Sequence, residues 1–127
     1  MEIIDGLFYT KEHEWVKAED GRATIGITDH AQEHLGEVVF VELPEAGNEL
    51  EAGDILCVVE SIKAASDVYT PVSGKVVEAN EALTASPEKI NEAPYESWLA
   101  VVDMTDEGEL DGLMDADAYR AYCGGLE

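Results

Sequence analysis

The stretch from position 58 to position 69 reads Val58-Val59-Glu60-Ser61-Ile62-Lys63-Ala64-Ala65-Ser66-Asp67-Val68-Tyr69. Two apolar runs typical of strands flank Lys63, so the chain turns close to this lysine, and a lysine at a turn projects its amine into solvent. An ordinary surface lysine fits the same pattern. The chain has only five lysines, however, and the next one, Lys75, stands 12 positions later. This scarcity favours a lysine that a modifying enzyme can reach.

Short apolar runs separated by turn residues continue outward from this stretch over the first hundred positions. They alternate with Gly, Pro and Asp-Gly breakers that reverse or bend the backbone. This rhythm is typical of a compact β sandwich or barrel. We therefore predict a mainly β fold, with strands at 8–16, 23–27, 38–43, 55–59, 68–70, 72–79 and 98–102.

Helices are predicted to be few and short. Thr28 can cap a helix over residues 29–35, and Gly36 follows where that helix would end. Asp115 is a second N-cap candidate, within a C-terminal helical segment predicted at about 106–123. That segment carries an apolar stripe at helical spacing, which we expect to pack onto the sandwich. The stripe consists of Tyr119, Tyr122 and Cys123.

The length and the charge of the chain limit its domain organisation and its partners. The 127 residues predict a single domain over positions 1–127, large enough to bury its own core. Against 29 acidic residues stand 7 basic ones, a formal net charge of -22. Such a surface repels nucleic acid and anionic membranes, so we expect neither as a partner. With no targeting signal at the start and no apolar segment that could span a bilayer, the expected location is the cytoplasm.

A metal site is one alternative that the histidines suggest. His30 and His34 stand four residues apart and would share one face of the short helix, a spacing used in zinc sites. The local sequence offers no third ligand, so we predict no metal site. The acidic stretch 103–117 resembles a calcium loop, but Met114 stands where a bidentate Glu is needed. The motifs of hydrolases and nucleotide-binding enzymes are also missing, so we predict a protein that is not an enzyme.

Several segments resemble one known family. The segments 47–54, 59–64 and 71–74 are similar to the signature of lipoyl-type carrier domains. More narrowly, the chain resembles the glycine cleavage system H protein family over nearly its full length. The matching segments are 9–16, 26–32, 35–44 and 60–67, together with Asn91 and the pair Pro94-Tyr95.

The resemblance implies a fold and a chemistry. The fold is the lipoyl/biotinyl-type barrel-sandwich hybrid with short flanking helices, and Lys63 carries lipoate in amide linkage. The chain would act as a monomeric shuttle for the aminomethyl group of glycine. Its implied partners are glycine decarboxylase (P protein), aminomethyltransferase (T protein), dihydrolipoyl dehydrogenase (L protein) and a lipoate-attaching enzyme. An alternative is a lipoyl donor in a lipoate relay to 2-oxoacid dehydrogenase complexes.

The resemblance also bears on the surroundings of the arm. Glu14, His34 and Asp67 lie in matching family segments, so we hypothesise that they line a cleft that shelters the loaded, cationic arm. Each fits equally well as a solvated surface group. One departure is the segment Tyr95-Glu96-Ser97-Trp98, which is one residue shorter than the family pattern and lacks its glycine. We expect the turn there to be built differently.

The acidity exceeds what a lipoyl carrier needs. Many carboxylates with few basic residues are typical of adaptation to high salt, where a short Debye length screens the repulsion between like charges. We therefore predict a halophilic source and a stability that rises with salt concentration.

Overall fold

The computed structural model describes residues 2–125, which form two antiparallel sheets packed as a sandwich with short helices. The larger sheet has six strands in the order β1-β2-β3-β9-β8-β5, and the smaller has three in the order β4-β6-β7. Neither sheet closes into a barrel within these residues. Of the predicted barrel-sandwich hybrid, the structure therefore shows a two-sheet sandwich. The strands are β1 (Phe8–Tyr9), β2 (Glu14–Glu19), β3 (Arg22–Ile27), β4 (Val38–Glu42), β5 (Glu49–Leu50), β6 (Ile55–Ser61), β7 (Ala65–Tyr69), β8 (Gly74–Ala79) and β9 (Ala100–Met104).

Most predicted strands are present, with shifts at their ends. The exception is the predicted strand 8–16, which the structure divides into β1 and β2. The chain turns between them because the His13 N–H donates to the Thr10 carbonyl (3.1 Å) and His13 adopts a φ of +67°. β5 was not predicted, since two residues are too few to show an alternating pattern.

The first helix, α1 (Asp29–Leu35), begins and ends where the sequence predicted. Thr28 Oγ1 accepts a hydrogen bond from the Ala31 N–H (3.2 Å), and Gly36 ends the helix with a φ of +81°. Two four-residue helices, α2 (Ala82–Ala85) and α3 (Lys89–Glu92), were not predicted, because one helical turn shows no periodicity.

The C-terminal segment predicted as helical over about 106–123 contains two separate helices. A 3-10 helix covers Glu107–Gly112, and α4 covers Ala116–Gly124 with Asp115 as its N-cap. Between them, Met114 forms two backbone hydrogen bonds with Tyr9, of 2.8 and 2.9 Å. This short bridge interrupts the helix and ties the segment to the edge of the larger sheet.

Three apolar clusters within residues 2–125 hold the fold together. One lies between the sheets and includes Cys57, which is buried as predicted. A second covers the larger sheet, and a third joins α4 to β1 and β2. In the third cluster the Tyr119 ring stacks on that of Tyr9 at 4.5 Å between centroids, and Cys123 is fully buried. The apolar stripe of α4 thus packs onto the sandwich, as its spacing predicted.

The shortened turn before Trp98 is held by one serine. The Ser97 N–H donates to the Ala93 carbonyl (3.0 Å), and Ser97 Oγ donates to the Lys89 carbonyl (2.9 Å). The side chain therefore fixes the end of α3 without the glycine of the family pattern. None of the helices in residues 2–125 combines the length and the apolar character needed to cross a membrane.

Candidate functional site

Lys63 lies at the tip of the hairpin that joins β6 to β7, as its sequence context predicts. The turn is closed by the Ser61 N–H, which donates to the Ala64 carbonyl (2.8 Å). Ser61 Oγ accepts hydrogen bonds from the N–H groups of Lys63 (3.1 Å) and Ala64 (3.2 Å). One serine side chain therefore satisfies the backbone of the turn, while the Lys63 side chain is exposed. We call residues 60–65 the lysine hairpin.

The Lys63 amine rests at the C-terminal end of α1. Its Nζ donates a hydrogen bond to the His34 carbonyl (3.0 Å), one of the carbonyls left unpaired where the helix ends. Gly36 makes room for it, because a Cβ at that position would lie 3.1 Å from Cε of Lys63. The positive φ of Gly36 also favours glycine at this point. The loop after α1 is thus shaped to receive the lysine.

Asn91 on α3 fixes this loop from the other side. Its Nδ2 donates to the Gly36 carbonyl (2.8 Å) and to Gln32 Oε1 (3.0 Å), and its Oδ1 accepts from the Val38 N–H (2.8 Å). All the side chain's polar atoms are therefore used. Asn91 is part of the family resemblance, but no local pattern predicts its role, since its partners lie more than 50 positions away.

A cavity of about 330 Å³ lies next to the hairpin. Glu14, His34 and Asp67, the three residues predicted to line a cleft, all lie in its wall. They come from three different elements, namely β2, α1 and β7. His34 and Asp67 are exposed, whereas Glu14 is only 2% exposed, so the reading of Glu14 as a solvated surface group is wrong. A larger opening, of about 540 Å³, is lined by other residues.

Glu14 is a buried carboxyl group with two hydrogen bonds. Its Oε1 accepts from the Thr10 hydroxyl (2.7 Å), and its Oε2 accepts from the Tyr69 N–H (3.0 Å). Burial raises the pKa of Glu14 to about 7, although both hydrogen bonds act in the opposite direction. The wall of the cavity therefore contains a carboxyl group that changes charge near neutral pH.

All three histidines of the chain lie in the same wall. The rings of His13 and His30 stack at 4.2 Å between centroids, and those of His30 and His34 lie 4.3 Å apart. Burial, followed by the proximity of the other two imidazoles, lowers the pKa of His13 to about 4. Positive charges on neighbouring imidazoles would repel one another. His13 is therefore a neutral imidazole at neutral pH.

Exposed apolar side chains surround the lysine hairpin. Ile62, beside the lysine, is 68% exposed, and Val39 and Phe40 on β4 are 50% and 47% exposed. β4 pairs with β6, and the register shifts between Val38 and Phe40, which places the bulge next to the hairpin. Large apolar groups left in solvent beside a candidate attachment point indicate a surface that other proteins contact.

Comparisons with known proteins agree with this geometry. A family profile described as "Glycine cleavage H-protein" matches residues 7–125. A glycine cleavage system H protein of Thermoanaerobacter pseudethanolicus is 57% identical over 122 residues, covering 96% of this chain and 97% of the relative. One of Alcanivorax borkumensis is 59% identical over 121 residues, covering 94% of each.

A solved structure and a third relative extend the comparison. The crystal structure of a glycine cleavage system H protein from Mycobacterium marinum superposes with a TM-score of 0.88 at 40% identity, covering 96% of this chain and 99% of that one. A probable glycine cleavage system H protein of Pyrococcus furiosus is 59% identical over 122 residues, covering 94% and 91%. Several of the relatives come from thermophiles, and the comparisons do not support the predicted halophilic source.

Proposed function

The chain belongs to the glycine cleavage H-protein family, and from this premise we propose that it is the lipoyl carrier of a glycine cleavage system, with lipoate in amide linkage to Lys63. The single observation that carries the assignment is the hairpin geometry. Lys63 stands at the tip of a tight turn with its side chain exposed. An attaching enzyme needs an amine in this setting, since it must enclose the lysine without unfolding the protein.

The hairpin suits an arm that visits several active sites. Its base is fixed by backbone bonds, including the one from the Ile62 N–H to the Glu37 carbonyl (3.0 Å). Lipoylation converts the ammonium to a neutral amide and so weakens the bond from Nζ to the His34 carbonyl, which is charge-assisted in the free lysine. The long side chain can then swing from a fixed base. A tethered thiol is thereby presented to each partner at high effective concentration.

The proposed partners are those of the family. The P protein would load the aminomethyl group of glycine, the T protein would release it, and the L protein would reoxidise the dithiol. The exposed Val39, Phe40 and Ile62 support a contact surface around the hairpin, used by these partners and by the lipoate-attaching enzyme. The chain itself would remain a non-catalytic carrier. Its monomeric state and its cytoplasmic location stay predictions.

The cavity is the proposed shelter of the loaded arm. An aminomethyl group on sulfur carries a primary amine that is cationic at neutral pH, and exposure to water favours its loss. Glu14 and Asp67 offer two carboxyl groups in the wall, and the His34 carbonyl already lies next to the lysine amine. A cation entering the cavity would favour the ionised form of Glu14. The bound arm and the buried carboxylate would thus stabilise each other.

The attachment site is tested by intact-mass measurement after incubation of the unmodified protein with a lipoate ligase and lipoate. We expect one lipoyl addition in the parent protein and none in Lys63→Arg, because arginine keeps the charge but cannot form the amide. Lys75→Arg is the matched control, since Lys75 is also exposed but lies within strand β8 rather than at a turn. Lipoylated protein should also support the exchange of bicarbonate into glycine by a glycine decarboxylase. Addition that persists in Lys63→Arg would overturn the assignment.

A further inference from the structure

The row of histidines continues into the C-terminal helix. One potential ligand atom from each of His13, His30 and Cys123 lies within 4.8 Å of the other two, which is the one such group among residues 2–125. His13 precedes β2, His30 lies on α1, and Cys123 lies in the last turn of α4. His30 is 8% exposed and Cys123 is fully buried. Three elements distant in sequence thus bring two imidazoles and a thiol to one point.

We propose that His13, His30 and Cys123 form a binding site for a zinc ion. Two imidazole nitrogens and one thiolate are ligands that zinc prefers. In a tetrahedral site, with bonds of about 2.0–2.3 Å, neighbouring ligand atoms are about 3.3–3.6 Å apart. The ligand atoms here lie within 4.8 Å of one another, so the site closes when they move by about 1 Å and the His30 ring turns out of its stack on His13, which lets one nitrogen of each ring face the ion. The sequence suggested His30 and His34 as a ligand pair but offered no third ligand. In the structure only His30 of that pair takes part, and its co-ligands are His13 and Cys123.

A second layer of hydrogen bonds orients the first ligand. His13 Nδ1 is hydrogen-bonded to the Tyr119 hydroxyl (2.8 Å), which in turn is hydrogen-bonded to Thr28 Oγ1 (2.7 Å). Zinc-binding histidines commonly use their second nitrogen in this way, which fixes the ring and leaves the other nitrogen for the metal. Tyr119 lies one helical turn before Cys123 on α4. The tyrosine is therefore a positioning residue that couples His13 to the helix of the cysteine ligand.

The fourth position would face the cavity. His13, His30 and the neighbouring His34 all line it, so the cavity provides the path by which an ion enters. Three protein ligands with one open position is an arrangement found in zinc sites that keep a water molecule. The site lies in the same wall as Glu14 but uses none of the residues that contact the lysine hairpin directly. The inference is therefore independent of lipoylation.

The test is titration of the unmodified full-length protein with Co²⁺ as a spectroscopic substitute for zinc. We expect one equivalent to bind with the absorption of tetrahedral cobalt and a thiolate-to-cobalt charge-transfer band, and Zn²⁺ to displace it. Oxygen ligation by the many surface carboxylates gives neither feature. An octahedral spectrum, or a missing thiolate band, would overturn the proposal without any variant.

Variants then identify the ligands. Cys123→Ala should abolish the thiolate band and weaken Zn²⁺ binding at least 30-fold, and His30→Gln should weaken it to a similar extent. Cys57→Ala is the matched control, because Cys57 is the other buried free thiol and lies in the core between the sheets. It should leave the band unchanged. Tyr119→Phe should keep the band but weaken binding about tenfold. Equal Zn²⁺ affinity in Cys123→Ala, folded by circular dichroism, would contradict the site.

Discussion

The lysine hairpin and the wall of the neighbouring cavity meet at His34, and they are built in opposite ways. Residues 62–65 at the tip of the hairpin are exposed, and most of the hairpin's hydrogen bonds join residues two or three positions apart, chiefly through Ser61. The wall is assembled from β2, α1 and β7, and it contains the buried carboxyl group of Glu14. The hairpin depends on local contacts and is largely solvated, whereas the wall depends on long-range contacts and is partly desolvated.

The difference shows which region provides each property that a carrier needs, namely access and shelter. An attachment point needs access, which a short turn provides with few constraints on the rest of the chain. A shelter for a reactive group needs desolvation and placed charge, which only packing of distant elements provides. Substitutions in the two regions should therefore differ in kind. Those in the hairpin should change chemistry with little effect on stability, and those in the wall should change stability and its dependence on pH.

The largest effect is expected at Asn91, the residue that ties the hairpin's receiving loop to α3. Asn91→Ala leaves two backbone groups and Gln32 without their partner, so we expect the free energy of unfolding to fall by roughly 3 kcal/mol. The Ile62 amide, which donates to the same loop, should exchange with solvent faster. Urea unfolding and hydrogen exchange measure the two effects.

Asn80→Ala is the matched control for Asn91. Asn80 is also partly buried, but its side chain donates a single hydrogen bond, to the Trp98 carbonyl (2.8 Å). We expect a loss of about 1 kcal/mol there and no change at Ile62. If the free energy of unfolding fell equally in both variants, Asn91 would not link the hairpin to the rest of the fold. The hairpin would then depend on local contacts more than the structure indicates.

The next effect concerns the buried carboxyl group. The pKa of Glu14 is raised from 4.5 to about 7, so the folded protein binds a proton more tightly than the unfolded chain. Stability from this group is fully present below pH 4.5 and is lost as the pH rises to about 7, a change of about 3 kcal/mol. Glu14→Gln removes the dependence. Relative to the parent protein, the variant should gain that amount between pH 4.5 and pH 8, measured by urea unfolding with a chelator present.

His13 provides the opposing slope in the same wall. Its pKa is lowered to about 4 from 6.5, so its contribution to stability rises as the pH increases over that interval. In the parent protein the two shifts are of similar size and opposite sign, so the two trends largely cancel. His13→Gln should therefore expose a fall in stability with rising pH, whereas Glu14→Gln should expose a rise. A difference between Glu14→Gln and the parent that stays constant with pH would show that Glu14 does not titrate in this range.

The smallest effect is expected at Asp67, the exposed carboxylate of the wall. Because solvent screens an exposed charge, Asp67→Asn should speed the loss of the aminomethyl group from the loaded arm only about threefold. Asp103→Asn on β9, an exposed carboxylate outside both the cavity wall and the lysine hairpin, should leave the rate unchanged. The rate is followed by mass spectrometry of the loaded protein. Equal rates in Asp67→Asn and the parent would remove Asp67 from the shelter.

Much of the fold could be predicted from the sequence because its signals are local. The caps at Thr28 and Asp115, the end of α1 at Gly36 and the turn at Lys63 each depend on a few neighbouring residues. The features that the sequence did not predict lacked such a signal. α2 and α3 are single turns, and the break between β1 and β2 depends on the backbone conformation of His13.

The sequence by itself determined the β class of this protein, its acidic surface and the position of its lysine at a turn, because alternation, composition and turn chemistry are readable over short windows. Only the tertiary structure decided that Glu14 is buried, that Asn91 holds the loop beneath the lysine, and that His13, His30 and Cys123 converge. These contacts join residues up to about a hundred positions apart. No local pattern encodes them, since they arise from how the sheets and helices pack.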